Sequence, residues 1–221
     1  TPSGSITVWF EASDTGTNIQ STRLYARFED GQFEDTGLEK SGTVGQFTYE
    51  AEQGEGAYYF YSISEDKAGN VEDPPASYDA VTVLDQSSPS SACVSPAVSS
   101  TTFTVTFTAS DAGCGINHTA LFMSFEGGSY SEWGAPKEGE SGAFEFRAEN
   151  GDGSYSFYTR ALDLAGHEED PPATPDTVTI VDSVPASSSC TSPAYSTVAT
   201  IAVDFVASDL SSQVASIELW Y

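Results

Sequence analysis

Apolar and polar residues alternate with a period of two along much of the chain. The segment TFTVTFTAS (102–110) is the clearest case. Phe103, Val105, Phe107 and Ala109 fall on one face, and the Thr and Ser residues fall on the other. Alternation of this kind, rich in Thr, Val and Phe, describes a half-buried β-strand. SITVWFEAS (5–13) and TIAVDFVAS (200–208) repeat it. Comparable stretches predict strands over 22–29, 45–52, 57–65 and 78–84, and again over 119–126, 142–148, 154–162 and 176–182. Gly, Asn, Asp and Pro punctuate the intervals. Helical periodicity is sustained nowhere, so the expectation is an all-β chain.

The strands recur because the sequence recurs. GEGAYYFYSISEDKAGNVED (54–73) returns as GDGSYSFYTRALDLAGHEED (151–170), 97 positions later. The same offset of 97 joins Asp14 to Asp111, Phe47 to Phe144, Pro74 to Pro171, Asp85 to Asp182 and Cys93 to Cys190. A third copy starts near Ser187, where CTSPAYSTVATIAVDFVASD restates CVSPAVSSTTFTVTFTASD with one residue added. The expected organisation is repeat 1 over 1–86, lacking its first strand, a complete repeat 2 over 87–183, and a partial repeat 3 over 184–221. Such a chain reads as a window on a longer tandem array. About seven short strands per repeat is the signature of an immunoglobulin-like or fibronectin-III-like β-sandwich.

Composition narrows the partners. Asp and Glu number 33 against 7 Lys and Arg, a formal charge of −26. A surface so acidic repels phosphate and anionic lipid, which argues against nucleic-acid and membrane-surface binding. No apolar run approaches the ~18 residues that a membrane span requires. An acidic chain is often disordered, but 38% of these residues are hydrophobic and 12% aromatic, and they alternate.

GDGSYSF and GEGAYYF have the form D/E-x-x-Y-x-F, which marks a tyrosine corner. The hydroxyls of Tyr58 and Tyr155 are expected to bond back to the backbone at the turn before their strand. Phe60 and Phe157 stand where antibody domains carry a cysteine, so aromatic packing replaces that inter-sheet disulfide. The motif from Tyr58 to Asn70 and from Tyr155 to His167, with its D-x-A-G-[NH] ending, and the Ala-Ser-Asp at 109–111 resemble the tandem immunoglobulin-like repeats of bacterial and archaeal exported surface proteins. That resemblance implies a stalk, adhesion or scaffold module.

Three cysteines are present. Cys93 belongs to the first strand of repeat 2, and Cys114 to the loop after the strand at 102–110. A Cys93–Cys114 disulfide would close a loop of about 21 residues, stabilise by roughly 3 kcal/mol and imply an oxidising compartment. Two thiols are the other reading. Cys190 repeats Cys93, with Ser212 at the partner position. Asn117-His118-Thr119 is an N-glycosylation sequon, expected on the same loop.

The repeated acids carry the remaining chemistry. Sandwich topology should bring Asp85, ending repeat 1, toward Asp111, Asp163, Glu169 and Asp170 of repeat 2, and Asp182 toward Asp209 of repeat 3. A structural Ca²⁺ among these oxygens is one reading; a solvated acidic face is the other. No catalytic constellation emerges. The two histidines, His118 and His167, are absent from repeat 1, and no phosphate-binding glycine loop exists. The expected function is therefore non-enzymatic: a structural module of an extracellular stalk, sheath or filament, whose partners are copies of itself or neighbouring repeats end to end. The alternative is a carbohydrate-binding or accessory adhesion module, with SYSEWGAPKEGE (129–140), including Tyr130 and Trp133, as its site.

Overall fold

The computed structural model describes residues 4–220. Its strands in repeat 1 are β1 (Gly4–Glu11), β2 (Ile19–Phe28), β3 (Glu34–Lys40), β4 (Val44–Ala51), β5 (Gly56–Asp66) and β6 (Ala80–Leu84). Repeat 2 contributes β7 (Ser90–Val94), β8 (Val98–Ser99), β9 (Thr102–Ser110), β10 (Ile116–Phe125), β11 (Ser131–Glu138), β12 (Ser141–Arg147), β13 (Gly153–Asp163) and β14 (Thr177–Val181). Two strands of repeat 3 follow, β15 (Ser187–Thr191) and β16 (Asp204–Ser208). The chain divides into two compact units. The first holds the residues up to Ser87 together with Asp111–Gly115, and the second holds Ser88–Ser110 with the residues from Ile116 onward.

In the first unit, β1 pairs with β4, and a second sheet runs β3-β2-β5-β6. In the second unit the sheets run β12-β9-β7 and β11-β10-β13-β14-β8, and β15 pairs with β16 separately. All pairings are antiparallel except β14 with β8. This is the two-layer strand order of an immunoglobulin-like or fibronectin-III-like sandwich, repeated in tandem.

Alternation sets the core. Ile6, Val8 and Phe10 on β1 point inward and meet Phe47, Leu24, Tyr58 and Phe60. Phe103, Val105 and Phe107 on β9 do the same with Phe144, Phe146, Leu121, Tyr155 and Phe157. Close packing favours glycine at the matched positions 45 and 142. A Cβ on Gly45 would lie 2.7 Å from the Phe10 ring, and one on Gly142 would lie 2.8 Å from the Phe107 ring.

Two strands escape the sequence pattern. β3 and β11 are edge strands, exposed along most of their length, so they carry no two-residue apolar alternation. The segment 129–140, expected as a binding site, is largely β11. The strand expected over 200–208 is shorter, beginning at Asp204. In repeat 2 the equivalent β9 is held along both edges, by β7 and β12; among the described residues β16 pairs with β15 alone.

Candidate functional site

Each repeat builds the same turn before its long central strand. Tyr58 donates its hydroxyl to the Gly54 carbonyl at 2.8 Å, and Tyr155 donates to Gly151 at 2.8 Å. Both rings are fully buried. Burial raises both phenol pKa values, so the hydroxyls remain donors.

The D-x-A-G-[NH] motif that ends β5 and β13 is a carboxylate-centred loop. Asp66 accepts the backbone N–H of Ala68 and Asn70 and the Asn70 side-chain amide at 2.7 Å. Asp163 accepts the N–H of Gly166 and His167, and its other oxygen lies 2.8 Å from His167 Nδ1. Gly69 and Gly166 adopt φ of 88° and 96°, a conformation that side-chain-bearing residues resist. For Asp163 burial would raise the pKa, but these donors outweigh it and lower it. His167 thus replaces Asn70 as the loop's closing donor.

Most of the other acids expected to hold a cation serve as acceptors in the same way. Asp85 is buried and accepts Ser87 N–H at 3.0 Å, Ser87 Oγ–H at 2.8 Å and Cys114 N–H at 2.8 Å. Burial works against its charge, yet hydrogen bonds from Cys114 and Ser87 prevail and hold the carboxyl far below the usual range. Asp111 accepts Gly113 and Gly115 N–H, each at 2.9 Å. Asp85, Asp111 and Cys114 bring one ligand atom each within 4.8 Å of one another. In the second unit, Glu169 accepts Ser91 N–H at 2.9 Å and Ala161 N–H at 3.0 Å. Asp182 accepts Val184 N–H at 2.9 Å, and Asp209 accepts Ser211 and Ser212 N–H at 3.0 and 2.9 Å. Asp170 is exposed. Ca²⁺ takes six to eight oxygens; here most of the acid oxygens are taken by N–H and O–H donors. Asp111 Oδ1 and Asp182 Oδ2 are the buried acid oxygens without a hydrogen-bond partner among the described residues.

The expected Cys93–Cys114 disulfide does not form. Cys93 pairs with Phe107, three residues inside the Ser90–Ser110 end of the β7–β9 ladder, and its side chain is packed in the core of repeat 2. Cys93 is buried in the sandwich core, and burial, with Asp176 nearby, pushes its thiol well above the ordinary range. Cys190 is exposed. Asn117 is exposed at the start of β10, where the register shifts at a bulge, rather than on the preceding loop; Thr119 of its sequon is buried.

Trp133 is no exposed platform. It is half-buried on β11, opposite Leu121, and its ring lies 4.9 Å from that of Phe146 in the core. Tyr130 belongs to a repeated group that the composition concealed. Tyr25 stacks on Tyr61 at 4.9 Å with Phe33 at 4.5 Å from Tyr61. Phe122 stacks on Tyr158 at 5.0 Å with Tyr130 at 4.6 Å from Tyr158. The offset of 97 maps each ring onto its counterpart, and that offset was the signal available in the sequence.

Position 36 of repeat 1 corresponds to Trp133 and is Thr. Thr36 Oγ1 donates to the Leu24 carbonyl at 2.7 Å. An open groove of about 520 Å³ borders it, lined by Thr36, Leu38, Tyr49, Glu34, Glu50 and Glu52 among others. A second groove of the first unit, of about 630 Å³, is lined by residues including Glu11, Asp14, Glu72 and Asp79.

The sequence matches no protein-family model and no curated protein. Among solved structures, the chain is similar to the FN1-FN3 domains of chicken CNTN1, at 14% identity, with 88% of this chain and 67% of that one covered and a TM-score of 0.34. It is also similar to the human OSCAR ligand-binding domain, at 14% identity, with 77% and 88% covered and a TM-score of 0.39. No helix among the described residues is long and apolar enough to cross a membrane.

Proposed function

We propose that the chain is a non-enzymatic structural segment of an extracellular stalk, sheath or filament, in which sandwich repeats follow one another end to end. One observation carries this reading: the same sandwich is built twice at an offset of 97 residues, with its tyrosine corner, its carboxylate-closed loop and its stacked aromatic pair all repeated. Tandem repeats of one unit set distance and transmit load, and need no pocket to do so.

Sedimentation of the 221-residue protein over a range of concentrations tests this. Growth of linear oligomers is expected, promoted by salt that screens the acidic surface. A monomer at every concentration and salt would refute the proposal.

A further inference from the structure

The groove beside Thr36 is a position that repeat 2 fills from within. The two repeats keep the same register here: Tyr25 pairs with Asp35 as Phe122 pairs with Glu132, and Thr22 with Lys40 as Thr119 with Lys137. In repeat 2 the indole of Trp133 occupies the inner face of the edge strand and packs on Phe146. In repeat 1 the matching pair is Thr36 and Tyr49, and an open groove borders both. Leu38 takes up part of the lost bulk, where repeat 2 has Ala135.

Charge changes at the same place. Glu34 and Glu50 line the groove where repeat 2 carries Ser131 and Arg147. Glu52 and Asp35 add two more carboxylates. Arg27 also lines the groove, the one cation against these acids there among the described residues, with its guanidinium 4.1 Å from the Tyr59 ring centre. Repeat 1 has therefore lost the internal aromatic plug and gained acidity around the vacated space.

We infer that this groove is a docking site for a partner polypeptide that inserts one aromatic side chain, indole by preference, flanked by lysine or arginine. Trp133 shows in the same fold what fits against the ring at position 146, and Tyr49 offers the corresponding ring in repeat 1. The carboxylates complement the basic flanks, and a buried aromatic anchor is the usual energetic centre of such a contact. A second copy of this chain, at a net charge of −26, is a poor occupant. The inference does not rest on the assembly proposed above.

The test titrates the whole chain with three acetylated, amidated pentapeptides, followed by calorimetry: a central Trp between Lys pairs, the same with Ala at the centre, and the same with Glu pairs as flanks. The Trp/Lys peptide is expected to bind at least tenfold more tightly than either control, and to weaken as salt is raised. Thr36→Trp with Leu38→Ala rebuilds the plug of repeat 2 and should abolish binding while leaving the protein folded. Glu50→Arg, which restores the charge of repeat 2, should weaken it severalfold. Equal binding of the Trp and Ala peptides, binding unchanged in the plugged variant, or no binding at all would each overturn the inference.

Discussion

Repeats 1 and 2 are two solutions to one fold. Both close the turn before the long central strand with a Tyr hydroxyl on a Gly carbonyl. Both end that strand in a carboxylate that gathers the following loop, Asp66 in one and Asp163 in the other. Both stack an aromatic pair on the outer face, at 4.9 and 5.0 Å. They part at the edge strand, where β11 buries Trp133 and β3 leaves an acidic groove. Interior positions are constrained by close packing on every side, whereas edge positions have neighbours on one side only and are free to diverge. The edge strand is accordingly where the two repeats differ in packing.

The sharpest way to break the comparison is through the shared core. Phe60→Ala and Phe157→Ala should each cost about 3–5 kcal/mol, since both rings are buried in their clusters. Two melting transitions resolved by calorimetry should each lose only the one belonging to the mutated repeat. If one substitution is silent, the two cores are not equivalent. A smaller effect is expected where the repeats differ. Trp133→Thr, which copies repeat 1, should destabilise repeat 2 by about 2 kcal/mol, less than a core Phe because the indole is only half-buried.

Removing the corner hydroxyl strands the carbonyl of buried Gly54, so Tyr58→Phe should cost about 1–2 kcal/mol, whereas Gly151 is exposed and Tyr155→Phe should cost less. Asp85 supplies a pH signature. Its pKa is depressed in the folded chain because donors from Cys114 and Ser87 overcome the cost of burial. The unfolded chain then binds more protons in the acid range, so stability increases with pH there. The increment is fully present above the ordinary Asp value of about 3.9 and is lost as pH falls below it. Asp85→Asn should lower the melting temperature at pH 7 by an amount that shrinks toward pH 3. A difference independent of pH would show that the charge of Asp85 is irrelevant. The smallest effect is chemical: under native conditions without reductant, alkylation followed by mass spectrometry should label Cys190 readily and Cys93 only on unfolding. A linked Cys93–Cys114 peptide would contradict the unbridged Cys93 of the structure.

Much of this was written in the chain itself. The period of two in TFTVTFTAS, the offset of 97 residues and the Tyr at the head of each central strand determine a tandem β-sandwich, because burial of one face and the geometry of one turn are local demands. Edge strands β3 and β11 left no such trace, since an exposed strand imposes no alternation. Acidic residues were visible as repeated positions, but their hydrogen-bond partners were set by tertiary placement. Only the folded loops show that Asp66, Asp85, Asp163 and Glu169 spend their oxygens on backbone N–H groups. The cysteines are a parallel case: their spacing suits a disulfide, but the folded chain holds Cys93 unbridged in the core. Thr36 in place of Trp133 was a plain substitution in the aligned repeats. That it borders a groove with acidic walls is a fact of three-dimensional packing, because an empty space belongs to no single residue.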